Sequence, residues 1–157
     1  MAVSEQEFTQ TIASVLELLK LDGHYDNHRE KELARLLDAL AMIYHRLDRF
    51  ATDYVPSNAP QKDQGFLREN IEKAFPRLGF YHKATGMSKP DEIPELVRGD
   101  AIDDLMDICN ELSAAKHVQS EQGISAAAAY FKVSFEIHWG EHLRYLQLYL
   151  YNRSRGL

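Results

Sequence analysis

Apolar positions recur at three- and four-residue intervals along most of the chain, and this period defines the expected elements. Ser4-Glu5-Gln6-Glu7 reads as a capping box, in which a serine hydroxyl and a glutamate carboxylate satisfy the free N–H groups at a helix start. Behind it Phe8, Ile12, Val15, Leu16 and Leu19 share one face, and the helix is predicted to stop near Leu21, before Asp22-Gly23. Asn27, with Glu30 three residues on, offers a second cap. Leu33, Leu36, Leu37, Leu40, Tyr44 and Leu47 then form a stripe that predicts a helix to about Phe50. Phe66, Leu67, Ile71 and Phe75 mark a shorter third helix. Pro76 ends it, because proline lacks an N–H and clashes with the preceding turn. A fourth helix begins near Asp100 and carries Ile102, Leu105, Met106, Cys109 and Leu112. After a turn near Gln119–Gly123, a last helix is expected over about residues 124–153, with Gly140 as a bend point.

The segments between helices are read from their breakers. Residues 53–60 hold Pro56, Ser57, Asn58 and Pro60 and predict a loop. Residues 79–100 hold Gly79, Gly86, Pro90, Pro94 and Gly99, which predicts an irregular crossover with at most a short helical turn. Such a long crossover is expected to be either functional or poorly ordered. Sustained period-two alternation is absent, so no sheet is expected. The fold class is therefore all-α: one domain over residues 1–157, built as an antiparallel four- to five-helix bundle.

Length and composition agree with this. A chain of 157 residues, 45% hydrophobic and 27% charged, can bury a core without a disulfide or metal staple. The formal net charge of −6 argues against nucleic acid as a partner. There is no apolar run long enough to span a membrane and no secretory signal pattern at the start. The lone Cys109 cannot pair internally, which fits a reducing cytoplasm. Dinucleotide, phosphate-loop and Cys-x-x-Cys motifs are absent.

Seven histidines are the unusual feature of the composition. On a wheel of about 100° per residue with Phe131 at zero, Phe135 falls near 40°, His138 near 340°, His142 near 20° and Tyr149 near 0°. His138 and His142 are thus expected in the middle of the aromatic stripe, facing the bundle interior. Trp139 falls one step off that centre, and Gly140 opposite it. Buried imidazoles need partners. The nearest carboxylates are Asp103, Asp104, Asp107 and Glu111 on the fourth helix, and Tyr44 is a further candidate. If the fourth helix buries one face, its acids are solvated. If it buries two, Asp103 and Asp107 could meet the histidines.

His-x-x-x-His on a helix is also the spacing that lets two imidazoles share one metal ion. That reading makes a zinc-like divalent metal the cofactor, held by His138, His142 and one or two of Asp103, Asp104 and Asp107. The other reading is a core hydrogen-bond network in which each histidine donates to a carboxylate or a carbonyl, with no cofactor. His24 and His28 repeat the spacing, but Gly23 and the cap at Asn27 put His24 in a turn. Cys109, on an apolar face, reads as a small core residue rather than a nucleophile.

Asp103-Asp104-Leu105-Met106-Asp107-Ile108 and Phe135-Glu136-Ile137-His138-Trp139-Gly140-Glu141-His142 resemble a bacterial family, domain of unknown function 5063. Its signature is a Phe-x-x-His-Trp-Gly-x-His segment. Phe75-Pro76-Arg77-Leu78-Gly79-Phe80-Tyr81 is similar to the family's Phe-Pro-x-Leu-Gly-x-Tyr stretch. The resemblance spans about residues 65–150 and implies a small all-helical fold, with no activity to carry over. Cys109 stands where the family often has an aromatic. Two functional readings are open. The first is a non-enzymatic binding or interaction protein with a buried His/Asp core network, Asp103, Asp104, Asp107, Trp139 and Tyr44 being the candidate ligand-binding residues. The alternative is a metal-dependent, hydrolase-like enzyme. A homo-oligomer or a protein partner is compatible with either.

Overall fold

The computed structural model describes residues 3–20, 26–47, 58–60 and 62–157. Helix α1 is Glu5–Leu18, and its N-cap Ser4 accepts from the Glu7 N–H, which is the serine half of the predicted capping box; the Glu7 carboxylate pairs with Arg46 instead of turning back to Ser4. It ends before the predicted stop at Leu21, which lies outside the described residues. Helix α2 is Asn27–Arg46, capped by the Asp26 carboxylate rather than by Asn27. The expected continuation to Phe50, most of the loop over 53–60, and His24 fall outside the described residues. Helix α3 is Gln64–Ala74, capped by Asp63 and ending just before Phe75-Pro76.

The crossover is ordered, and here the expectation of no sheet is corrected. Strands β1 (Phe80–Thr85) and β2 (Glu95–Asp100) pair antiparallel, with Phe80 opposite Asp100 and Thr85 opposite Glu95. The alternation is hidden because its sense is inverted: Phe80 and Leu96 point outward and are exposed. Tyr81 and Lys83 instead lie over rings of the last helix. Gly86, with φ of +70°, opens the turn.

Helix α4 (Ala101–Gln122) is the central element and packs against α1, α3, α5, α6 and β2. It buries two faces, so Asp104 is buried together with Leu105 and Ile108. Gly123, at φ +87°, turns the chain into α5 (Ile124–Ser134), which folds back along α4. The all-α class and the bundle stand, with the hairpin as an addition. No helix among the described residues is long and apolar enough to cross a membrane.

The last helical segment is not one regular helix. Phe135–Trp139 is a π-turn, closed by the Gly140 N–H donating to the Phe135 carbonyl, and α6 (Gly140–Arg155) continues beyond it. One residue is thereby inserted into the helical register. On the uniform wheel the buried residues before the turn centre near 0°, whereas Trp139, Gly140, Leu143, Leu146 and Leu150 centre near 100°. The inserted residue brings the two sets onto one core face. Trp139 is fully buried, edge-on to Phe131 (4.9 Å) and Phe135 (4.8 Å), and its Nε1–H donates to Ser134 Oγ at 2.9 Å.

Gly140 is what the turn requires. A Cβ there would overlap the Phe135 carbonyl oxygen and lie 2.8 Å from that ring's Cδ1. In a regular exposed helix, Gly→Ala stabilises by about 1 kcal/mol. At this position we expect Gly140→Ala to destabilise by roughly 1–3 kcal/mol, the usual cost of overpacking. A urea midpoint lowered at unchanged slope would show this; a raised midpoint would mean a regular helix at 135–140.

Candidate metal centre

The π-turn rotates His138 and His142 away from the core and onto the side of α4. This corrects the expectation of two interior imidazoles: the His138 side chain is 44% exposed and that of His142 25%. A uniform 100° wheel has no inserted residue, and that is the physical source of the error.

Helix α4 meets them with Asp104, Asp107 and Glu111. These occur at i, i+3 and i+7 and so share one face. His142 Nδ1 lies 2.7 Å from Asp104 Oδ1, and His138 Nδ1 lies 2.9 Å from Glu111 Oε1. An ionised carboxylate only accepts, so each ring donates from Nδ1 and keeps Nε2 as its remaining nitrogen. Each carboxylate's second oxygen is held by a tyrosine. Tyr81 OH donates to Asp104 Oδ2 at 2.5 Å, and Tyr130 OH donates to Glu111 Oε2 at 2.7 Å. Two tyrosine–carboxylate–histidine relays thus run side by side. Asp107 sits between their carboxylates in the α4 sequence, with Oδ2 3.4 Å from His142 Nε2. The two imidazoles are edge-on, centroids 5.3 Å apart. Asp107, His138 and His142 each offer a ligand atom within 4.8 Å of the others.

These contacts set the electrostatics. The hydrogen bond to Asp104 holds His142 above the ordinary histidine value; burial opposes this and the Asp107 charge reinforces it. Burial holds Asp107 above the ordinary carboxylate range, against the pull of His142 and His138. Burial, and then the bond to Asp104, push Tyr81 far above the usual phenol range. These contacts favour the protonated form of His142 relative to a free imidazole.

The other predicted site residues lie elsewhere. Asp103 turns to Arg68 (3.5 Å), which also pairs with Asp100 and Glu72, so it does not meet the histidines. Tyr44 stacks on Phe135 at 4.0 Å and donates to Glu136, not to an imidazole. Trp139 is sealed in the core and presents no face to a ligand. The expected core network is therefore a half-buried one, deep at Asp104 and open at His138. Sequence reasoning misses Tyr81 and Tyr130. The i, i+3, i+7 spacing of the acids is legible; Tyr81 closes the Phe-Pro-x-Leu-Gly-x-Tyr stretch of the crossover, but nothing in that pattern directs it to Asp104.

No family model matches the chain, and no curated protein matches it. The chain is similar to the crystal structure of protein BF1032 from Bacteroides fragilis, with 14% identity over 93% of this chain and 89% of that one and a TM-score of 0.56. At that identity the likeness concerns the fold alone.

The His142 shift sets the sign of a pH dependence. Its folded value lies above the unfolded value of about 6.5, so the folded state binds more protons. The stabilisation is complete below that value and is lost as pH rises through the folded value. The raised Asp107 value acts in the same direction at lower pH. In chelator-treated protein we expect the unfolding free energy to fall as pH rises above about 6.5, and His142→Gln to flatten that slope. Urea titrations across pH 6–9 measure it, and a slope that steepens in the variant would refute the assignment.

Proposed function

We propose that the chain binds a divalent metal, zinc or a zinc-like ion, through His138, His142 and Asp107. The observation that carries this reading is the paired relay, in which each imidazole donates from Nδ1 to its own α4 carboxylate. Carboxylate–histidine pairs of this kind fix the tautomer and orientation of metal-ligating imidazoles and raise their basicity. Two imidazoles and one carboxylate suit zinc, and three protein ligands leave a position for water or substrate.

The chemistry such an ion supplies is activation of water near neutral pH, which makes a hydrolase-like activity the finer form of the proposal. The protein's own part is orientation. Glu111 and Asp104 hold the rings, Tyr130 and Tyr81 hold the carboxylates, and the π-turn holds both histidines at the surface. A second, non-enzymatic reading has a specific support of its own. The 3.4 Å approach of Asp107 to His142 Nε2 also fits a protonated imidazole held between two aspartates, a purely structural network.

Zinc titration of untagged protein by calorimetry separates the two readings. We expect one zinc per chain, lost in His138→Ala, His142→Ala and Asp107→Ala, and weakened about 10- to 100-fold in Glu111→Gln, the range typical of outer-shell partners. A wild-type protein that takes up no zinc, or a His138→Ala variant that binds as wild type does, would leave the structural network as the function of these residues.

A further inference from the structure

Resting on that reading of the metal site, we infer that Tyr81 is a positioning residue for the metal centre, and that metal occupancy and docking of the β-hairpin are therefore coupled. A two-stranded hairpin has little stability of its own and must be held by its packing partners. Besides the Lys83 ammonium over the Tyr145 ring, three tyrosine contacts hold the inner side of this one. The Tyr81 ring stacks on Tyr149 at 5.0 Å, Tyr145 OH donates to the Ala84 carbonyl at 3.0 Å, and Tyr149 OH accepts from the Gly79 N–H just before β1 at 3.2 Å. All three bind the hairpin to α6, the helix that carries His142. The Tyr81 hydroxyl adds a further tie, at 2.5 Å from Asp104 Oδ2, and this one reaches α4.

The sequence makes room for that tie at Gly99, which faces Tyr81 across the ladder. A Cβ at Gly99 would lie 2.5 Å from Tyr81 Cζ and 2.8 Å from Cε1, so glycine there lets the ring lie flat across β2. Asp104 is almost wholly buried, with a side chain 6% exposed, and its two oxygens are divided between Tyr81 and His142. Without the phenol, Oδ2 is a buried acceptor short of a partner, and the carboxylate is free to rotate away from His142. His142 Nδ1 then loses the acceptor that fixes its ring. Tyr81 thus acts on the metal ligand through Asp104, at one remove from the ion.

Coupling between two equilibria is reciprocal. If hairpin docking strengthens metal binding, the metal must strengthen hairpin docking by the same factor. The segment 79–100 is then an element whose order reports on the occupied site.

The test combines zinc calorimetry with amide hydrogen exchange over residues 80–100, on the full chain with and without zinc. Tyr81→Phe keeps the ring and removes the hydroxyl. We expect it to weaken zinc binding about tenfold, at the low end for outer-shell partners, and to lose no further affinity when added to Asp104→Asn. In wild type, zinc slows exchange across the hairpin; in Tyr81→Phe the hairpin exchanges alike with and without zinc. Tyr130→Phe, which loosens the other relay, weakens zinc but keeps the zinc dependence of the hairpin. Gly99→Ala, which displaces the ring while keeping its hydroxyl, reproduces Tyr81→Phe. Zinc affinity of Tyr81→Phe equal to wild type, or hairpin exchange indifferent to zinc in a wild type that binds it, overturns the coupling alone. A wild type that binds no zinc overturns the metal reading and the coupling with it.

Discussion

One inserted residue in the last helical segment sets the position of everything around the candidate site. The bond from Gly140 N–H to the Phe135 carbonyl spans five residues instead of four. It rotates α6 by about 100° relative to an unbroken helix. Trp139 and Leu143 thereby enter the core behind Phe131 and Phe135, while His138 and His142 swing to the edge of α4. An unbroken helix would keep the aromatic stripe and drive both imidazoles toward the interior. The turn is held from both sides. Trp139 gains complete burial and a hydrogen bond to Ser134, and the missing Cβ at Gly140 removes the one steric obstacle.

On α4, the acids are arranged to receive the displaced histidines. Asp104, Asp107 and Glu111 recur at i, i+3 and i+7, the spacing of a core stripe, on a helix that buries two faces. Asp104 lies deepest and is satisfied on both oxygens; Glu111 repeats the arrangement nearer the surface. Asp107 is left facing His142 Nε2, with no tyrosine among the described residues behind it. The proposed metal reading rests on this gradient in bonding, which leaves the Asp107 carboxylate incompletely bonded beside two oriented imidazoles. On the proposed reading a proton and a divalent metal compete for the same atoms, and the contacts that raise His142 and Asp107 act in favour of the proton.

Much of the helical architecture is legible in the sequence, because periodic burial and caps are local properties. Ser4, Pro76 and Gly123 mark boundaries that hold in the structure. Two features are not legible, for different reasons. The hairpin carries its apolar residues Phe80 and Leu96 outward and its tyrosine inward, so binary alternation points the wrong way. The π-turn leaves no mark in periodicity except a drift of the buried face between Phe135 and Leu143, which a fixed wheel absorbs as scatter. Spacing alone is enough to find the pair His138 and His142. Their partners are half legible: Asp104 and Asp107 belong, Asp103 pairs with Arg68 instead, and Tyr81 can be placed only by tertiary structure.

The most direct test of this arrangement is a crystal structure of the protein grown with zinc, read at the zinc absorption edge. We expect a single anomalous peak bonded to Nε2 of His138, Nε2 of His142 and the Asp107 carboxylate at about 2.0–2.2 Å, with the five-residue turn at 135–140 intact. A peak bonded through Nδ1, a peak elsewhere on the chain, or a regular helix through Gly140 would contradict it.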